Sequence, residues 1–274
     1  MRDGEQGTGD RSVICRDVDS SRVPRPASPR ALRAVTFDFW STLVDGEITP
    51  ERTAERLARL HRAISGAGHA CKPDDLRRAF SRALERVSEE ARESLVDVGP
   101  PGRWAAMAAE LGIPDGLIAY EVIERAYEDI TFDPLPEAMP YVHEAVAAMQ
   151  RAGYRLGVIC NTGMAGGRTL RQVLARHGLL DAFEVTVFSN EFGWSKPHPR
   201  IFEHTLEALG GIAPHEALHV GDLEELDVDG AKRAGLHSAL YAPKANGPLT
   251  TDAELIVHDW RHFGQQVRDH FEQA

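Results

Sequence analysis

Four short stretches hold the residues able to do chemistry. In VTFDFWSTLVDG, residues 35–46, an apolar strand runs out on Asp38, and Trp40 follows two positions later. YRLGVIC ends at Cys160 and is followed by Asn161 and Thr162. ALHVGD ends at Gly221-Asp222, with Asp227 five residues beyond. Between the last two, GWSKPHPRIF sets Lys196 just ahead of a proline-initiated helix. A single strand-end aspartate is weak evidence, because caps and turns use the residue freely. Two carboxylates, one lysine and a polar turn arriving from distant parts of the chain are a stronger sign of a built site.

The elements that must position these residues follow from periodicity. Residues 1–30 are rich in Arg, Asp, Ser, Gly and Pro with almost no apolar pattern, and are expected to form a disordered arm. The first ordered element is predicted as a strand over 33–38, with Val35 and Phe37 apolar. From about 50 to 131 the pattern is helical: PERTAERLARLHRAI, PDDLRRAFSRALERV, GRWAAMAAEL and PDGLIAYEVIERAYEDI repeat apolar residues at three- and four-residue spacing. After Pro134, predicted helices over 136–152, 166–177, 199–209 and 227–234 alternate with YRLGVIC, FEVTVFS, ALHVGD, HSALYA and ELIVHD. DWRHFGQQVRDHF closes the chain as an amphipathic helix. Such alternation implies a parallel sheet covered by helices on both faces. The expected division is an α/β core from 31–46 and 132–274, with a helical insertion over 47–131. In open α/β sheets, ligands sit at the carboxyl ends of the strands, where the four stretches place their polar residues.

Bulk properties narrow the function. With 27% charged and 42% hydrophobic residues, the chain of 274 is an ordinary globular composition. Its net charge of −11 argues against nucleic acid or an anionic membrane surface as a partner, though not against a small anion in a local pocket. No apolar run nears the ~18 residues that span a bilayer. Cys15, Cys71 and Cys160 are scattered and odd in number, which fits neither a disulfide framework nor a zinc site. A cytoplasmic monomer or homodimer acting on a small molecule is the expectation.

Taken in order, the four segments resemble the four motifs of the haloacid dehalogenase-like hydrolase superfamily. FDFWSTLVD resembles its nucleophile motif, VICNTG its second strand end, GWSKPHPRIF its lysine motif and HVGDLEELDVDGAKRAGL its acidic motif. The resemblance covers residues 33–242 and implies an α/β, Rossmann-like core with an inserted all-helical cap over the active site. It makes Asp38 the nucleophile, a carboxylate that forms a covalent intermediate later broken by water. Asp38 and Asp222 become ligands of Mg2+, a hard cation that takes carboxylates, waters and phosphate oxygens. The resemblance adds the backbone carbonyl of Trp40 as a further metal ligand, and Asp227 as support for Lys196 or a metal-bound water. Lys196 would neutralise the crowded acids and the phosphate during attack. Cys160 departs from the pattern, since the family has a hydroxyl there to bind the transferring phosphoryl group and a thiol donates poorly. Asn161 and Thr162 are the expected compensating substrate contacts. Glu224 and Glu225 are expected as solvated helix-start acids, and His198 as a turn residue.

Trp40 raises the central question. Phosphatases of this superfamily carry a second aspartate there, which protonates the leaving alkoxide and activates water, work worth about 10²–10⁴-fold in rate. An indole does neither. The leading expectation is a Mg2+-dependent phosphatase for a small phosphorylated metabolite with a good leaving group. The alternatives are a 2-haloacid dehalogenase, whose halide leaves unprotonated, and a degenerate member that binds without turnover. The cap is expected to select substrate. Of its residues, Arg52, Arg56, Arg103 and Trp104 could face the pocket, but arginines on such helices are usually solvated.

Overall fold

The computed structural model describes residues 32–163, 165–245 and 247–272; the arm expected over 1–30 lies outside them. The chain opens with β1 (Ala34–Phe37) and then leaves the sheet for α1 (Pro50–Gly66), α2 (Pro73–Ser94), α3 (Gly99–Leu111) and α4 (Tyr120–Glu128). It returns through α5 (Val142–Arg151), β2 (Arg155–Cys160), α6 (Gly167–Arg176), β3 (Val185–Phe188), the short α7 (Ser189–Phe192) and α8 (Pro199–Ala208). β4 (Ala217–Gly221), α9 (Asp229–Arg233), β5 (His237–Tyr241), β6 (Leu255–Val257) and α10 (Trp260–Phe271) complete it.

The six strands are all parallel, in the order β3-β2-β1-β4-β5-β6. Parallel strands buried on both faces must be apolar almost throughout, as AVTF and RLGVIC are. Alternation then sends Val35 and Phe37 into one core with Val146 and Met149 of α5, Leu170 of α6 and Trp260 and Phe263 of α10. Ala34 faces the other way, toward Phe202 and Leu206 of α8 and Ala231 of α9. The fold is therefore α/β, a Rossmann-like sheet with helices on both faces. β1 is flanked by β2 and β4, so the chain order reverses at β1, and crevices at such reversals take ligands.

The first four helices after β1, α1 to α4, bury a core of their own, including Leu60, Ile64, Leu76, Phe80, Met107, Ile123 and Tyr127. Two predicted helices start elsewhere. The segment before α5 is extended instead of helical from 136: Asp45 donates its N–H to Glu137 and Met139 donates to Leu43. Pro140 follows, and Tyr141 takes a left-handed φ of 63°. Both oppose helix continuation toward the N-terminus. The helix predicted over 227–234 is split, with a π turn over Glu224–Val228 ahead of α9. Such turns recur at functional sites. Among the described residues no helix is long and apolar enough to cross a membrane.

Candidate active site

β1 and β4 are neighbours in register, Phe37 opposite Val220, and Asp38 donates its N–H to the Val220 carbonyl at 2.8 Å. That pairing brings the residues after the two strands together. Oxygens of Asp38, Asp222 and Asp227 lie within 4.8 Å of one another. Lys196 Nζ, only 2% exposed, donates to Asp38 Oδ1 at 2.5 Å and to Asp227 Oδ1 at 2.6 Å. Gly221 is what lets Asp227 approach: a Cβ at 221 would stand 2.1 Å from the Asp227 carboxyl carbon.

The electrostatics are those of an acid surplus. Burial disfavours the Lys196 cation, but the charges of Asp227 and Asp38 outweigh it and hold the ammonium above its usual range. Burial also works against ionised Asp227, yet the charge of Lys196 and the His219 hydrogen bond keep it below the usual carboxylate range. Asp38 is pushed up to about 7, by burial first and with Asp227 and Asp222 adding to it against Lys196. Asp222 rises to about 6, through burial and the Asp227 charge. Three acids thus share one ammonium, and two of them resist ionisation. Asp227 already accepts three hydrogen bonds, from Lys196, from His219 at 3.1 Å and from the Leu223 N–H at 3.0 Å. This donor set fits a divalent cation held by Asp38 and Asp222, with Asp227 retained for Lys196.

The second strand end is tied into the site by hydrogen bonds within the chain. Asn161 clamps the Lys196 backbone: its side-chain amide donates to the Lys196 carbonyl at 2.8 Å and its side-chain oxygen accepts the Lys196 N–H at 2.7 Å. Thr162 is buried, its hydroxyl donating to Asp97 at 2.6 Å and its N–H to Ser189 at 2.7 Å. Cys160 is fully enclosed, and burial followed by the Asp38 charge pushes its thiol well up. Trp40 is half-buried, set edge-to-face on Phe39 with ring centroids 4.7 Å apart. Its indole walls a cavity of about 240 Å³ with Ile48, Arg52, Arg56 and Asn161. A larger space of about 720 Å³, which Asn161 also lines, is bounded by Lys196, Thr162 and Arg103. Phe39 is core, and His198, expected as a turn residue, caps α8 by accepting the Arg200 N–H. Glu224 is not merely solvated, since it accepts from Thr251 Oγ1 and the Asp252 N–H.

A family model described as haloacid dehalogenase-like hydrolase matches residues 32–235. The chain belongs to that family. It is a hydrolase, and the match spans Asp38, Cys160, Lys196 and Asp222. Over 234 residues it is 27% identical to the human haloacid dehalogenase-like hydrolase domain-containing protein 3, covering 83% of this chain and 89% of that protein. It is 34% identical over 212 residues to a glyceraldehyde 3-phosphate phosphatase of Methanopyrus kandleri, covering 75% and 82%. In fold it is similar to a 2-haloacid dehalogenase crystal structure from Pseudomonas syringae, with a TM-score of 0.56 and 21% identity over 87% of this chain and 99% of the other.

Several residues that shape this hydrolase's site carry no motif. Asp97, in the loop after α2, accepts from Thr162, from Ser189 at 2.5 Å and from the Gly99 N–H, and lies 3.2 Å from Arg103. Residues 95–97 also pair with 193–195, directly before Lys196: Ser195 donates to the Leu95 carbonyl and Asp97 to that of Gly193. Glu128, at the end of α4, accepts from the Gly166 N–H and the Thr169 hydroxyl. Arg56 and Arg103 are not solvated as expected. Arg56 is buried against the Tyr127 ring and donates to its carbonyl, while Arg103 donates to the Thr162 carbonyl. The sequence signal available for Asp97 was a lone acid between valines in VDVGP.

The raised carboxyls fix a sign for pH. Asp38 and Asp222 bind protons more tightly folded than unfolded, so from about pH 4 to about pH 7 the folded state holds the extra protons and stability falls as pH rises. Asp227 acts oppositely: its contribution is complete above about pH 4 and is lost on further acidification. In chelator, the melting temperature should therefore decline between about pH 5 and about pH 7.5, with a shallower decline in Asp222→Asn. Scanning calorimetry checks this, and a flat profile for both proteins would contradict it.

Proposed function

We propose that this hydrolase is a Mg2+-dependent phosphatase that acts on a small phosphorylated metabolite through an aspartyl phosphate on Asp38. The observation that carries the reading is Asp38 held at a strand end against the buried Lys196 ammonium, with Asp222 alongside. The phosphatase named among its relatives supports phosphoester chemistry. An Asp38 oxygen attacks phosphorus, the bond from phosphorus to the leaving oxygen breaks, and water then cleaves the aspartyl phosphate to release phosphate and restore the carboxylate. Lys196 faces the charge gathered on the attacking oxygen, and Asp227 and Asn161 hold it there. Magnesium, held by Asp38, Asp222 and the Trp40 carbonyl, would supply charge neutralisation at the phosphoryl oxygens.

Residue 40 sets the leaving group. Its indole gives the departing oxygen no proton, so substrates whose leaving group is stable as an anion, acyl or aryl phosphates, fit best. Trp40→Asp should raise kcat/KM for alkyl phosphates by ~10–100-fold, a share of the usual acid–base gain, and aryl phosphates much less. A folded variant with unchanged alkyl phosphate turnover would contradict this role for the indole. A panel of phosphorylated metabolites assayed with and without Mg2+, beside Asp38→Asn, tests the whole reading. The indole also favours a second reading, 2-haloacid dehalogenation, in which a halide departs unprotonated. Chloride released from 2-chloropropionate without Mg2+ would establish it, whereas the acid surplus around Asp222 weighs for the phosphatase.

A further inference from the structure

His219 lies in the middle of β4, fully buried and edge-on to the Phe202 ring. A polar side chain there must find partners, and it has two. Nε2 is 3.1 Å from Asp227 Oδ1, and Nδ1 is 2.9 Å from the Thr36 hydroxyl of β1. An ionised carboxylate only accepts, so the proton belongs on Nε2. Nδ1 is then a bare acceptor, and the Thr36 hydroxyl, 2.9 Å from it and 3.4 Å from the Leu218 carbonyl, donates to the nearer atom. Burial, helped by the Lys196 charge, pushes the imidazole below its usual range against the pull of Asp227. A buried chain thus runs Thr36–His219–Asp227–Lys196–Asp38, with a single consistent direction of donation into each carboxylate.

We infer that His219 is a positioning residue: its Nε2–H holds the Asp227 carboxylate turned toward Lys196, which keeps the ammonium aimed at Asp38. This rests on the phosphatase reading of the site. Asp227 Oδ1 accepts from both His219 and Lys196, while the Leu223 N–H holds Oδ2. Without the imidazole donor the carboxylate is free to swing toward its neighbours, and Lys196 loses one of its two fixed partners. A neutral donor does this without adding charge that would compete with Lys196 for the acids. Asp227 fixes the tautomer, and the Thr36 hydroxyl, able to donate or accept, completes it at Nδ1.

The test compares His219→Leu, which removes the donor, with His219→Gln, which keeps a side-chain N–H, using an aryl phosphate as substrate. His219→Leu should lose ~10–100-fold in kcat with KM changed less than about 3-fold, as expected when the partner of a catalytic group is lost. His219→Gln should recover at least about a third of wild-type kcat, and Thr36→Val should fall between the two. A folded His219→Leu with wild-type kcat, or a His219→Gln as impaired as His219→Leu, overturns the role. If neither variant folds, nitrogen-15 NMR of the wild-type imidazole decides: a proton on Nε2 alone is expected, and one on Nδ1 or on both nitrogens overturns it. That spectrum needs no turnover, so an inactive wild-type protein would sink the phosphatase reading and leave the His219 assignment to be read separately.

Discussion

Asp38→Asn should abolish turnover and leave a protein at least as stable as the wild type. An amide oxygen does not attack phosphorus, and removing a nucleophile from a site that acts as a unit costs ~10⁴-fold or more in kcat. Stability moves the other way because Asp38 is a strained acid. Its carboxyl, pushed up to about 7, stands with Asp222 and Asp227 around one ammonium. Deleting its charge relieves the like-charge repulsion, and Lys196 keeps Asp227 as its partner. Activity against an aryl phosphate and the melting temperature in chelator check both halves. A variant within tenfold of wild-type turnover, or one that unfolds several degrees lower, contradicts this description of the nucleophile.

Lys196→Ala should damage both properties at once. It strips the ammonium from two buried carboxylates, and breaking a buried pair by deleting one partner typically costs about 3–5 kcal/mol. Activity should fall by ~10²–10³-fold, the scale of losing a preorganised charge at the reacting centre. The two losses separate by pH. With the ammonium gone the acids bind protons more readily in the folded state, so the stability deficit should shrink as pH drops from about 7.5 to about 5.5. The catalytic deficit should persist. Urea unfolding at the two pH values, with metal chelated, reads the first. A variant as stable as wild type at the higher pH would mean that the acids do not depend on Lys196.

What the sequence made legible was set by backbone rules. Parallel strands need apolar runs, and the polar residues that end them, Asp38 and Asp222, stand out for that reason. The inserted helices announced themselves through four amphipathic repeats. The illegible part depended on which side chains meet across the fold. The place of Asn161 and Thr162 at a strand end does not announce the partners they take within the chain, the Lys196 backbone, Asp97 and Ser189. Asp97 and Glu128 look like loop and helix-end acids until the insertion packs on the core and buries them against Thr162 and Thr169. His219 is one letter in an apolar strand, and its role needs Thr36 from the adjacent strand and Asp227 from the π turn. The helix predicted from 136 failed where Pro140 and the pairing of Met139 with Leu43 override local propensity.

Acid-quenching the protein during hydrolysis of an aryl phosphate in Mg2+, then mapping the phosphoryl group by peptide mass spectrometry, goes to the heart of the matter. The expected result is a phosphorylated peptide carrying Asp38, missing when Mg2+ is withheld and in Asp38→Asn. Turnover with the label on Cys160 or on no residue, or phosphate release undiminished in Asp38→Asn, would contradict it.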